Sequence, residues 1–186
     1  WSTPNFYYKL EYGLNLDLYF LDTVLLYHGH CRISKDMIQS NHNKSANLLK
    51  EEQLNWFKGE LEKSKVKRKI VFGHYPIISN GFYSDNLKPL YKLLFPIFKK
   101  YDVDAYISGH EHNIQYITKN FGDYKLNQFI IGSSAENRVF DRNIINENDM
   151  FDDKDNFVLV VKQLSNEKIL FKFLDSDGNL KYKYII

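Results

Sequence analysis

Two short stretches of this chain hold residues that could do chemistry: Gly73-His74-Tyr75-Pro76 and Gly109-His110-Glu111-His112. Each follows a short apolar run, Lys69-Ile70-Val71-Phe72 and Asp104-Ala105-Tyr106-Ile107-Ser108. Runs of that kind ending in glycine read as buried strands that stop and turn. Imidazoles just past strand ends stand at the rim of a sheet, where α/β proteins keep their sites. Glycine before histidine lets the backbone leave the strand sharply and removes a side chain that would crowd an ion. His74, His110 and His112 are therefore candidate metal ligands. Imidazole suits iron, zinc and manganese alike, so ligand type does not identify the metal. The competing reading is a set of hydrogen-bonded rim histidines. It suits His74 taken alone better than three histidines in two matching motifs.

Three neutral ligands do not complete a catalytic centre. Two-metal hydrolysis of a phosphate ester needs carboxylates that balance and bridge ions about 3.5–4 Å apart. Asp22, Asp102 and Asp104 are available, but none lies in a comparable motif, and no catalytic acid or base is assigned. His28 and His30 share the His-x-His spacing of a metal pair. They lie in a polar stretch without strand ends, which favours exposed loop histidines.

The elements that must position these residues follow from pattern. Leu16 to Tyr27 is apolar and β-branched and reads as a central strand, interrupted by Asp22-Thr23, where Asp22 needs hydrogen-bond partners at a strand end. Leu48 to Lys65 reads as an amphipathic helix with Leu54, Phe57 and Leu61 on one face. Asn86 to Tyr101 is a second helix, with Leu87, Leu90, Leu94, Ile97 and Tyr101 on one side. Pro89 suits its first turn, and Pro96 should kink it or end it early. Ile114 to Thr118 and Phe129 to Ser134 read as strands. Asn143 to Asn156 is polar and acidic and reads as a mobile loop. Phe157 to Leu164, Lys168 to Leu174 and Leu180 to Ile186 form a meander joined by hairpin turns, its last strand wet on one face. Trp1 to Tyr8 is an extended segment packed on the body.

The totals bound the class. The 186 residues suit one domain or part of a larger one. With 44% hydrophobic and 16% aromatic residues the chain can bury a real core. Its net charge of +2 argues against nucleic acid or a membrane surface as the main partner. The cluster Lys63 to Lys69 reads as cations complementing a helix C-terminus. Cys31 is the single cysteine, so compartment is not decided by disulfides. No apolar run approaches a membrane span. Asn43-Lys44-Ser45 is a sequon of the kind that arises often by chance. The start at Trp1, without initiator methionine or signal peptide, reads as a mature product or a fragment.

The two histidine motifs, with Asn113 following His112, resemble the last two motif blocks of calcineurin-like metallophosphatases, and within them the purple, or tartrate-resistant, acid phosphatases. Pro4-Asn5-Phe6-Tyr7-Tyr8 is similar to the segment after that family's Asn-His block. Leu21-Asp22-Thr23 resembles its Leu-Asp-Thr strand, Gln53-Leu54-Asn55-Trp56-Phe57 its Gln-Leu-x-Trp-Leu helix, and Asn113-Ile114-Gln115-Tyr116 its Asn-Leu-Gln-Tyr. The resemblance covers nearly the whole chain. It implies an α/β (α+β) fold: a four-layer αββα sandwich of two mixed sheets, incomplete at the N-terminus, with residues 1–186 the C-terminal part of a single domain. It implies hydrolysis of phosphate monoesters at acidic pH by a dinuclear centre of ferric iron and a divalent ion (iron, zinc or manganese). His74 and His110 would bind the divalent ion and His112 the ferric ion. It also implies a secreted or vacuolar/lysosomal location.

There are two departures. The family's upstream Asp, Asp with Tyr, and Asn-His blocks are absent and should lie before Trp1, so the isolated piece should be inactive or barely active. Relatives often carry a leaving-group histidine about nine positions after the first motif histidine. Here that position holds Tyr83, a poor acid for low pH but still a hydrogen-bond donor. The acidic stretch Glu136 to Asn156 corresponds to a family loop bordering the site and would repel anions if folded over it. Two other readings stand beside the enzyme. One is an inactive scaffold or anchor, as in parasite acid-phosphatase-like proteins, which tend to lose the histidine motifs kept here. The other is a phosphodiesterase or nucleotidase of the same superfamily.

Overall fold

A computed structural model describes residues 5–13, 15–28, 46–81, 84–133, 149–153, 156–165 and 167–186. Strands β1 (Tyr8–Tyr12) and β2 (Leu16–Phe20) lead into helix α1 (Thr23–His28). Helix α2 (Ala46–Lys63), strand β3 (Arg68–Phe72), a 3₁₀ turn (Ser84–Leu87), helix α3 (Lys88–Lys100) and strand β4 (Ala105–Ser108) follow. The chain continues through β5 (Ile114–Phe121), β6 (Tyr124–Ile131), β7 (Asp149–Asp153), β8 (Phe157–Gln163), β9 (Ile169–Asp175) and β10 (Leu180–Ile185).

A mixed sheet runs in the order β1-β2-β3-β4-β6-β5-β7, and a smaller sheet runs β10-β9-β8. In the larger sheet β2, β3, β4 and β6 are parallel, with antiparallel partners at both edges. The expected α/β sandwich of two sheets is present. Among the described residues the smaller sheet is antiparallel throughout.

The pleat divides the core in two. Tyr19, Val71, Tyr106 and Leu126 face the helices and meet Phe57 and Leu61 of α2 and Leu90, Leu94 and Phe98 of α3. Leu16, Ile70, Ile107, Ile114, Tyr116 and Phe129 face the small sheet and meet Phe157, Ile169, Phe171 and Phe173. Phe129 and Phe171 stack across that interface with centroids 4.2 Å apart. Tyr182 and Tyr184 of β10 turn toward this core, while Lys181, Lys183 and Ile185 are exposed.

Three expectations are corrected. The Leu16 to Tyr27 run stops as a strand at Phe20 and becomes α1, because the Asp22 carboxylate accepts from Leu25 N (2.9 Å) and caps the helix. Pro96 does not end helix α3, which continues to Lys100. Lys92 and Pro96 are both exposed, so the carbonyl that proline cannot bond faces water. Within the acidic stretch, residues 149–153 are not loop but strand, paired antiparallel with β5 in the register Ile114↔Asp153 and Gln115↔Asp152. The remainder of that stretch up to residue 148, with Asp155, His30, Cys31, the Asn43 sequon and Tyr83, lies outside the described residues.

Candidate metal centre

The sequence order β3, α3, β4 is a parallel crossover, and it sets the two motif strands side by side with the register Ile70↔Ala105, Val71↔Tyr106 and Phe72↔Ile107. Both therefore end at the same rim. The turns beyond them stay joined: Gly73 N donates to Ile107 O (3.0 Å) and Gly109 N to His74 O (3.0 Å).

Nδ1 of His110 lies 3.3 Å from Nε2 of His74. Two nitrogens bound to one tetrahedral ion at about 2.0–2.1 Å are separated by about 3.3–3.4 Å, so the distance suits a shared ion as well as the hydrogen bond between the two rings. His112 stands close enough for its charge to act on His74. Among the described residues, no group of three or more His, Cys, Asp or Glu is arranged to hold a metal. The structure thus brings two of the three predicted ligands, His74 and His110, together. The available carboxylates are engaged elsewhere. Asp22 caps α1. Asp104 bonds Arg68 and accepts from Lys69 N (2.7 Å). Asp102 and Asp104 precede β4, at the sheet end away from the histidines.

His110 has a φ of +63°, in the left-handed region, and Glu111 N donates to Gly109 O (2.8 Å) around it. A non-glycine residue held in that region stores strain of the kind found at functional sites. The glycines before the two histidines differ. A Cβ on Gly73 would collide with Thr23 and the Tyr106 hydroxyl, whereas one on Gly109 would make ordinary contacts. The first glycine is needed for the approach of protein groups, not for clearance around an ion.

Several supporting residues were not evident from sequence. Thr23 Oγ1 accepts from His74 N (2.8 Å) and Tyr75 N (2.9 Å). Gln53 pairs with the backbone of Asp22 through both ends of its amide. Tyr75 lies between Tyr27, stacked at 4.8 Å, and His110, at 4.2 Å. His28 is on α1 rather than in a loop, and its Nε2 meets the Tyr75 hydroxyl at 2.9 Å. The signal that could have revealed Thr23 is a polar side chain inside an apolar stretch, which must find partners; Gln53, preceded by Glu51 and Glu52, carried no such signal.

Although the His74 side chain reaches solvent, partial desolvation, followed by the neighbouring His112, holds its pKa below the usual 6.5. The folded state then binds fewer protons at this site than the unfolded chain. The stability tied to His74 is complete above the unfolded value and falls as pH drops below it toward the folded pKa. Metal ligation needs the neutral ring, which this shift favours. An NMR titration of the metal-free protein should place the His74 ring midpoint below 6.5. A midpoint at or above that value removes the desolvation argument.

The comparisons agree with this architecture. The family model for calcineurin-like phosphoesterases matches residues 2–113. Tartrate-resistant acid phosphatase type 5 of Oryctolagus cuniculus is 34% identical over 128 residues, covering 66% of this chain and 38% of the relative. The chain therefore spans well under half of that relative's length. A solved structure described as GAP50, the anchor in the inner membrane complex of Plasmodium, is 25% identical with a TM-score of 0.75, covering 99% of this chain and 55% of that one. A purple acid phosphatase from yellow lupin seeds shares 16% identity with a TM-score of 0.75, covering 99% and 33%. On the family match and the fold together, this chain belongs to the calcineurin-like phosphoesterases.

Proposed function

We propose that the protein containing this chain is a metal-dependent acid phosphatase that hydrolyses phosphate monoesters at a dinuclear centre, with His74, His110 and His112 among the ligands. The observation that supports it most is the convergence of His74 and His110 at adjoining strand ends. The donor set fits ferric iron with a divalent ion, iron, zinc or manganese. Such ions, when bound, polarise the phosphoryl group and supply a nucleophile at low pH. The chain's own residues orient the ligands: Thr23 fixes the His74 turn and Tyr75 backs the His110 ring. Carboxylate ligands would come from sequence outside residues 1–186, which are then the C-terminal part of one domain. The same reading places the protein in a secreted or vacuolar/lysosomal lumen. No helix among the described residues is long and apolar enough to cross a membrane.

The experiment is metal analysis and p-nitrophenyl phosphate turnover of the longer protein, unsubstituted and with His74→Ala. About two ions per chain and turnover lost in the variant are expected. The likeness to the Plasmodium anchor supports a second reading, a phosphatase-like scaffold. Metal-free protein with no turnover on aryl phosphates or phosphodiesters would favour the scaffold.

A further inference from the structure

The segment after the first histidine motif, residues 77–81, is irregular and largely buried, with Ser79 and Asn80 inaccessible. Buried backbone N–H groups in such a segment need acceptors. Two glutamines on the sheet supply them. Gln128 Oε1 of β6 accepts from Ile77 N and Ile78 N (both 3.1 Å), and its Nε2 donates to Ile78 O. Gln115 Oε1 of β5 accepts from Asn80 N (2.9 Å), while its Nε2 donates to Asn113 Oδ1 (2.8 Å) and Ser79 Oγ (3.2 Å). Ser79 Oγ also accepts from Gly81 N (2.8 Å).

One bond remains that the segment's backbone does not require. Ser79 Oγ donates to Glu111 Oε1 at 3.0 Å. With it the hydroxyl uses its one donor and both acceptor positions. Glu111 is wholly buried and lies between His110 and His112. Holding a carboxylate there carries a desolvation cost that an apolar side chain would avoid. Its return is geometric. The hydrogen bonds among its members restrict how they can be arranged. This one joins the loop leaving His74 to the turn carrying His110 and His112. Gly81 packs so closely on the Glu111 carboxylate that an added Cβ would collide with it, so the two loops are in direct contact here.

We propose that Ser79, Glu111 and Gln115 form a buried latch that sets the two histidine loops against each other, with Ser79 and Gln115 as positioning residues for the metal site; this rests on the metal reading above. Ion binding and the rigidity of residues 79–81 are then coupled, each strengthening the other.

The test uses the longer protein, cobalt(II) alone as probe, its visible absorption for affinity and hydrogen exchange for the Asn80 amide. In the unsubstituted protein, cobalt binds and slows exchange at Asn80 several-fold. In Ser79→Ala, cobalt affinity falls about tenfold, the low end of what partners bonded directly to a ligand carry, and the cobalt-dependent slowing at Asn80 disappears. A merely structural role would lower the melting temperature and leave both in place. Gln115→Met, which preserves volume, gives the same result if Ser79→Ala does not fold. Cobalt binding and Asn80 slowing unchanged in the variants overturn the latch alone. An unsubstituted protein that binds no cobalt overturns the metal reading, and the latch's role with it.

Discussion

Replacing His110 with glycine is expected to abolish metal binding and yet to leave the protein more stable than replacing it with alanine. His110 sits at φ +63°. For an L-residue that conformation costs about 1–2 kcal/mol, and glycine is relieved of it. Both substitutions lose the ring contact with Tyr75, about 0.5–1.5 kcal/mol. The loss therefore cancels between them and the backbone difference remains. Elsewhere in a folded chain alanine is normally the better of the two. Metal affinity should fall in both by more than about a hundredfold, beyond what outer-shell partners carry. Chemical denaturation and metal titration of the two variants decide the matter. An alanine variant as stable as the glycine one removes the strain, and a variant that keeps its metal removes His110 from the centre.

The strain at His110 was out of reach of a sequence reading, while the motif that contains it was not. Short apolar runs that end in Gly-His are local patterns, and local patterns survive without tertiary information. The convergence of His74 with His110 depends on β3 and β4 lying parallel and adjacent. Strand, helix and strand were each readable, and together they spell a crossover unit whose hand is nearly fixed and whose strands are neighbours more often than not. The change from strand to helix within Leu16 to Tyr27 has a different cause. Apolar composition there fits strand or helix, and only the capping oxygen of Asp22 separates the two. The acidic segment failed for a third reason. Polar composition argued for loop, but the backbone of residues 149–153 completes a sheet edge at β5. Gln115 reads as one polar residue in a strand, and Gln128 as the polar residue just before the run Phe129 to Ser134. Their partners lie 35 and about 50 positions away in sequence, which no window spans.

Thr23 offers the sharpest separation of packing from hydrogen bonding, because valine copies its shape and lacks its oxygen. Thr23 is 1% exposed and its Oγ1 accepts two backbone N–H groups, those of His74 and Tyr75. Thr23→Val leaves both donors facing a methyl group. At about 1–3 kcal/mol for each orphaned donor, the expected loss is about 2–6 kcal/mol. That is a large share of the roughly 5–15 kcal/mol that holds a domain folded. Thr23→Ser keeps the oxygen and removes one methyl, a loss of about 1 kcal/mol. The serine variant should therefore be the more stable, although valine fills the site better. Because the two N–H groups belong to the turn that aims His74, metal affinity should follow the oxygen too, falling about 10–100-fold in the valine variant and little in the serine one. Should valine prove the milder change in both denaturation and metal titration, shape alone holds this turn, and the His74 position owes nothing to the threonine hydroxyl.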